Sequence, residues 1–124
     1  VRLRSRHAQM KPQRIVLSRR AGFDLRAISQ ALNGLPAQSV ARPGRWGNPF
    51  SIDAVMAETG LDRDAAQAEA VARHRRWLLG EIDAERPPPS RDDICTTLGG
   101  KNLACWCPAG TPCHVDNLLA IAND

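Results

Sequence analysis

The sequence predicts a small Rossmann-like α/β layered domain, with a short, largely parallel sheet flanked by helices. Three observations point there. Short β-branched or aliphatic runs alternate with helix-period stretches, the pattern of strand–helix–strand units. Pro and Gly clusters fall between the runs and punctuate them. The 124-residue length suits one domain with one modest core.

Taken in order, residues 1–13 read as a flexible basic arm ending near Lys11-Pro12, and residues 14–124 as the single α/β domain. Residues 14–19 (RIVLSR) form a strand candidate. Leu25, Ile28 and Leu32 fall at helical spacing, and Gly34-Leu35-Pro36 supplies a stop. Residues 37–42 read as a second short strand, followed by the Pro/Gly-rich loop RPGRWGNPF. Ser51 suits the cap of a helix over residues 52–59 stopped by Gly60. A longer helix spans about Asp64 to Ile82, with Asp62 or Asp64 at its positive end. On it Ala66, Ala70, Val71, Trp77, Leu78 and Ile82 form the broad inner side; His74, Arg73, Arg75 and Arg76 are expected at the surface. Ser90 with Asp93 resembles a capping box for a short helix ending at Gly99-Gly100. Cys95 is expected to be a buried small residue, and residues 102–107 (NLACWC) a buried strand. Thr111-Pro112 reads as the start of the last helix, with Val115, Leu118, Leu119 and Ala122 as its core stripe.

Composition narrows the function classes. With 43% hydrophobic and 24% charged residues, the chain is globular rather than disordered. No apolar run approaches the roughly 20 residues that cross a bilayer, and the basic N-terminus lacks a signal-peptide core. These features predict a cytoplasmic protein without membrane contact. Three of the four cysteines cluster at Cys105, Cys107 and Cys113. In a reducing compartment such a cluster reads as a metal site, a reactive thiol or buried small residues. The net charge of +4 is uneven, because residues 1–20 hold seven cations and no acid, which leaves −3 on the remainder. That segment could meet nucleic acid or remain a solvated terminus.

Two stretches carry chemistry. In a strand through residue 107, Cys105 and Cys107 would share one face and Trp106 the other. Cys113 and His114 would then occupy the first turn of the last helix, where free N–H groups and the helix dipole lower a thiol pKa. Asp116 and Asn117 lie on the same side. Three readings stay open. Cys113, His114 and Asp116 could line a binding or catalytic pocket that receives an anion. Cys105, Cys107, Cys113 and His114 could hold zinc, although C-x-C-x5-C-H is no standard knuckle. The cysteines could equally be small core residues. In the loop, Arg42 and Arg45 suit phosphate or carboxylate, and Trp46 suits either stacking or plugging the core. Gly47 permits unusual backbone, and Asn48 can donate and accept. Ser18-Arg19-Arg20 ends the first strand and would reach the same sheet edge.

Ser18-Arg19-Arg20, VARPGRWGNPF at 40–50 and GKNLACWCPAGTPCHVDNLLAIAN at 100–123 together resemble domain-of-unknown-function family 4326 of bacterial and phage proteins. The likeness runs in order over about residues 14 to 123. It implies that Ser18, Arg19, Arg42, Pro43, Trp46, Gly47, Asn48, Pro49, Phe50, Cys105, Trp106, Cys107, Cys113, His114 and Asp116 are the family's motif positions, and it implies no activity. Phe23 stands where the family's pattern has Trp, Val115 where it has Ala, and residues 25–34 look like a small inserted helix.

These readings converge on a pocket between the Arg42–Phe50 loop and the Cys113 helix start that binds, or binds and processes, a phosphate-bearing or nucleotide-like ligand. Ser18, Arg19, Arg42, Trp46, Gly47, Asn48, Cys105, Trp106 and Cys107 would bind it; Cys113, His114 and Asp116 would do any chemistry. The alternatives are a zinc-stabilised, non-enzymatic module touching nucleic acid through its N-terminal arm, and a purely structural protein.

Overall fold

The computed structural model describes residues 11–42 and 44–124. Pro43 and residues 1–10, most of the expected arm, lie outside the described residues. Gln13 is already tied to the body: its N–H donates to Asn102 Oδ1 at 2.8 Å and its carbonyl accepts from Leu103 N–H at 3.0 Å.

The elements are β1 (Arg14–Val16), α1 (Leu25–Asn33), β2 (Ala37–Ser39), α2 (Ile52–Thr59), α3 (Arg63–Leu78), α4 (Arg91–Leu98), β3 (Asn102–Cys105) and α5 (His114–Ala122). The strands form one parallel sheet in the order β1-β3-β2. The domain is thus the small α/β layered type expected. Arg14 pairs with Leu103 and Val16 with Cys105; Ala37 pairs with Asn102 and Ser39 with Ala104. All three strands therefore end at one edge, the level of Val16, Ser39 and Cys105. All four β3 residues are buried, as befits a central parallel strand.

The strands are shorter than their apolar runs. Each stops where the ladder ends, and the residues beyond turn into loops: Leu17 N–H makes the last β1 bond, to Cys105 O at 2.8 Å. Cys107 accordingly lies outside β3.

Local caps set the helix ends. Asp24, Ser51, Asp62 and Ser90 accept N–H groups of Ala27, Ala54, Ala65 and Asp93. Gly60 takes the left-handed φ of 75° that ends α2. Thr111 does not cap α5. Its hydroxyl donates to Pro108 O at 2.7 Å, and Cys113, in extended backbone, precedes the helix instead. Cys113 is therefore the residue before the first turn, and His114 opens the turn.

Helix α5 packs on β1, β3, α3 and α4. The main core joins Val40, Trp46, Ile94, Leu98, Leu103, Cys105, Cys113, Val115, Leu118 and Ala122. A smaller cluster of Val55, Ala66 and Ala70 holds α2 on α3. Trp77 is core, as expected, and its indole N–H donates to Arg86 O at 3.0 Å. His74 corrects the surface reading: it is wholly buried between Trp77 and His114. Arg73 is half-buried rather than solvated, paired with Glu58 and Glu69. Cys95 is only half-buried, and Ile28 and Leu32 of α1 are exposed. No helix among the described residues is long and apolar enough to cross a membrane.

Candidate metal centre

Cys105 ends β3, Cys107 sits two residues on in the turn, and Cys113 closes that turn onto α5. The turn folds back because Arg14, on β1, reaches across it. Its guanidinium donates to Pro108 O and Thr111 O, both at 2.7 Å, and meets Asp116 Oδ2 at 3.4 Å. The result places the Sγ atoms of Cys105, Cys107 and Cys113 within 4.8 Å of one another. Cys105 and Cys113 are fully buried and Cys107 is half-buried. The closest pair, Cys105 Sγ and Cys113 Sγ, are 2.8 Å apart.

His114 stands at the margin of this group. Its Nδ1 is 3.7 Å from Cys113 Sγ, and its Nε2 is 2.7 Å from Val40 O. A carbonyl can only accept, so in the neutral ring Nε2 carries the proton and Nδ1 keeps its lone pair on the sulfur side. Burial lowers the His114 pKa and keeps the ring neutral. A backbone carbonyl holding the far ring nitrogen is the usual outer partner of a metal-ligating histidine.

The thiols share hydrogen bonds and so split in acidity. Bonds shared with Cys105 and Cys113 lower the Cys107 pKa, helped by the nearby Arg14 cation. Sharing with Cys105 and Cys107 raises Cys113, and burial adds to it. Of the three thiols, Cys107 is thus the one whose ionised form the cluster favours. This reverses the expectation for Cys113: outside the first turn and wholly buried, its thiol is raised, not lowered.

A tetrahedral zinc, with Zn–S about 2.3 Å and Zn–N about 2.0–2.1 Å, sets its ligands roughly 3.5–3.8 Å apart. The 3.7 Å Cys113–His114 separation matches that spacing. His114 nevertheless falls outside the set of donors that all lie within 4.8 Å of one another, so its ring would have to shift toward the other two sulfurs to complete the shell. The Cys105–Cys113 pair would open by about 1 Å to admit the ion. Three thiolates and an imidazole are soft ligands of the kind that select zinc over hard cations.

The remaining predicted residues divide into two groups. Trp46, Gly47 and Asn48 are buried and organise the loop rather than line an open pocket. Trp46 shares the main core cluster with Cys105 and Cys113. Thus the loop and the helix start do converge, but as packed surfaces. Asn48 spends its amide on Ala70 O at 3.0 Å and its oxygen on Phe50 N–H at 2.9 Å. A β-carbon on Gly47 would lie 2.7 Å from Arg42 Cγ and 3.2 Å from Arg42 Cα, so any larger residue there would press on Arg42. Arg42 is exposed and borders a cleft of about 250 Å³ with Asn48 and Arg86. Asp116 is exposed and turned to Arg14 rather than to His114. Ser18 Oγ accepts from Arg20 N–H at 3.0 Å. Arg19 and Trp106 meet: the guanidinium lies 4.5 Å from the indole centroid.

Four residues that shape the site carried no local signal. Arg14 staples the cysteine turn. Val40 supplies the carbonyl for His114. Arg86 clamps the loop through Arg45 O and Gly47 O. His74 packs edge-to-face on His114, with ring centroids 5.2 Å apart.

The chain matches the family described as "Domain of unknown function (DUF4326)" over residues 2–124. It belongs to that family. The resemblance seen in the WGNPF and CWC…CH motifs therefore extends across the chain, and among the described residues the DUF4326 domain is here a three-stranded parallel α/β unit. No curated protein and no solved structure matches the chain.

Proposed function

We propose that this DUF4326 domain is a zinc-binding α/β module, its ion held by Cys105, Cys107, Cys113 and the Nδ1 of His114. The observation that carries this reading is the convergence of three sulfur atoms within 4.8 Å from a strand end, a turn and a helix start. The ion would tie β3 to α5 and fix the turn that presents Trp106. It would also relieve the close Cys105–Cys113 approach by replacing shared thiol protons with bonds to metal. A reducing compartment such as the cytoplasm suits it, because the thiols must stay free to ligate.

A phosphate-binding pocket with Cys113 as nucleophile finds less support. Cys113 is sealed in the core with Trp46, and its thiol is raised.

Elemental analysis of protein purified without chelator tests the reading. About one zinc per chain is expected, and cobalt substitution should show sulfur-to-cobalt charge transfer. Ion at about 1,000 times its dissociation constant adds about 4 kcal/mol. Stripping it should therefore lower the melting midpoint by roughly 10–20 °C. Cys107→Ser should lose the metal without opening a core cavity, since Cys107 is half-buried. A metal-free protein whose melt is indifferent to added zinc would end the proposal.

A further inference from the structure

Trp106 is out of place as a core residue. Of the three tryptophans, Trp46 is 7% and Trp77 1% exposed, whereas Trp106 is 44% exposed. Its ring stands just past the end of β3 with the Arg19 guanidinium over it at 4.5 Å. Arg19 follows β1, and Arg42 follows β2. The two arginines thus rise from the strands on either side of β3, at the same sheet edge.

The charge of this edge is mostly positive, although Glu85 shares a cleft with Arg42 and Arg86. Arg19, Arg20 and Arg42 are exposed. Among the described residues no acid lies within ion-pair distance of any of them: Asp116 is taken by Arg14 and Asp93 by Arg45. By sequence, residues 1–20 hold seven cations, Arg19 and Arg20 among them, and no acid. Strands lie about 4.8 Å apart, so the ends of β1 and β2, from which these arginines follow, are separated by roughly 10 Å. That span suits a run of phosphates better than one phosphate group.

We propose that the Arg19–Trp106 face is a binding surface for single-stranded nucleic acid. The indole takes one unpaired base, and Arg19, Arg20 and Arg42 take the flanking phosphates. A stacking aromatic beside a cationic track is the working combination of strand-binding surfaces. The base must be unstacked to reach the indole, so a duplex offers the phosphates but not the stack. Trp106 lies between two of the proposed zinc ligands, so metal content is read with binding to tell a lost ion from a lost contact.

The three tryptophans make the test specific. Full-length protein is titrated with a thymidine oligomer of about 12 nucleotides, within the usual site size, while intrinsic fluorescence is read. Quenching is expected, and it must come from Trp106, since the other two indoles are buried. Trp106→Ala should abolish the quench. By anisotropy of a labelled oligomer, it should weaken binding roughly five- to a hundredfold. Trp106→Phe should keep most of the affinity. Arg19→Gln should weaken binding and reduce the slope of log affinity against log salt by about 0.7. A matched duplex should bind more weakly than the single strand. Thermal melts and metal content of each variant, read alongside, separate a damaged fold from a lost contact. The proposal fails if the oligomer does not bind. It also fails if Trp106→Ala, folded and with wild-type metal content, binds as wild type does, or if inorganic polyphosphate competes as well as the oligomer does.

Discussion

Replacing Asn102 with Ala should cost about 3–4 kcal/mol, although Asn102 touches neither the cysteine cluster nor the arginine edge. Asn102 opens β3 and is fully buried. Its side chain makes four hydrogen bonds and leaves no capacity unused. Oδ1 accepts from Gln13 N–H at 2.8 Å and from Asn33 Nδ2 at 2.9 Å. Nδ2 donates to Ser29 Oγ at 2.7 Å and Asn33 Oδ1 at 2.8 Å. Each bond contributes about 1 kcal/mol net, and any partner left buried and unpaired adds to the loss. The total is a large share of the 5–15 kcal/mol that holds a typical domain. Equilibrium urea unfolding followed by circular dichroism measures it. Because Asn33 and Ser29 belong to α1, hydrogen exchange should show α1 losing protection before α5 does. Asn102→Asp should be at least as damaging at neutral pH, since it sets a carboxylate oxygen against Asn33 Oδ1 and leaves a buried charge. A loss below 1 kcal/mol for the Ala variant, or an Asp variant as stable as wild type, would refute the assignment of α1 docking to this amide.

Three other outcomes follow from the geometry. Burial holds His74 at a pKa of about 3, well under its ordinary 6.5. The unfolded chain therefore takes up the proton first, so the stability from this group is full above about pH 6.5 and drains as pH falls toward 3. Between pH 7 and 4.5 the gap between wild type and His74→Phe should narrow by about 2–3 kcal/mol in denaturant melts; a constant gap would disprove it. Arg14→Gln should free the turn between Cys107 and Cys113 and weaken zinc roughly 10- to 100-fold in chelator competition, while Arg14→Lys recovers only part, lacking the fork that spans Pro108 O and Thr111 O. Gly47→Ala drives a methyl against Arg42 Cγ at 2.7 Å and Arg42 Cα at 3.2 Å; a loss of about 1–3 kcal/mol should appear in the melting midpoint.

What the sequence revealed was local. Ser51, Asp62, Ser90 and Gly60 cap their helices through bonds made within a few residues, so their identity was enough. The buried character of β3 showed in its apolar run, and the cysteine–histidine segment showed by residue type. What stayed hidden depends on partners far along the chain. His74 sits among Arg73, Arg75 and Arg76, and it is buried because Asn117, 43 residues on, bonds its Nδ1 while His114 covers its ring. Trp46 could equally stack a ligand or plug the core; packing with Leu118 and Val40 decided for the plug. Cys107 was read in the strand because apolar residues run past its end, whereas the ladder stops at Cys105.

The order β1-β3-β2 has a consequence for biosynthesis. Each strand pair in the sheet uses β3, and Arg14 must wait for Leu103 while Ala37 waits for Asn102. On the ribosome, β1 and β2 emerge with no strand to join, and nothing closes the sheet until the final quarter of this sequence has been made. Such distant pairing slows folding. A nascent chain halted before β3 should remain open to protease along its whole N-terminal half, then become resistant in a single late step.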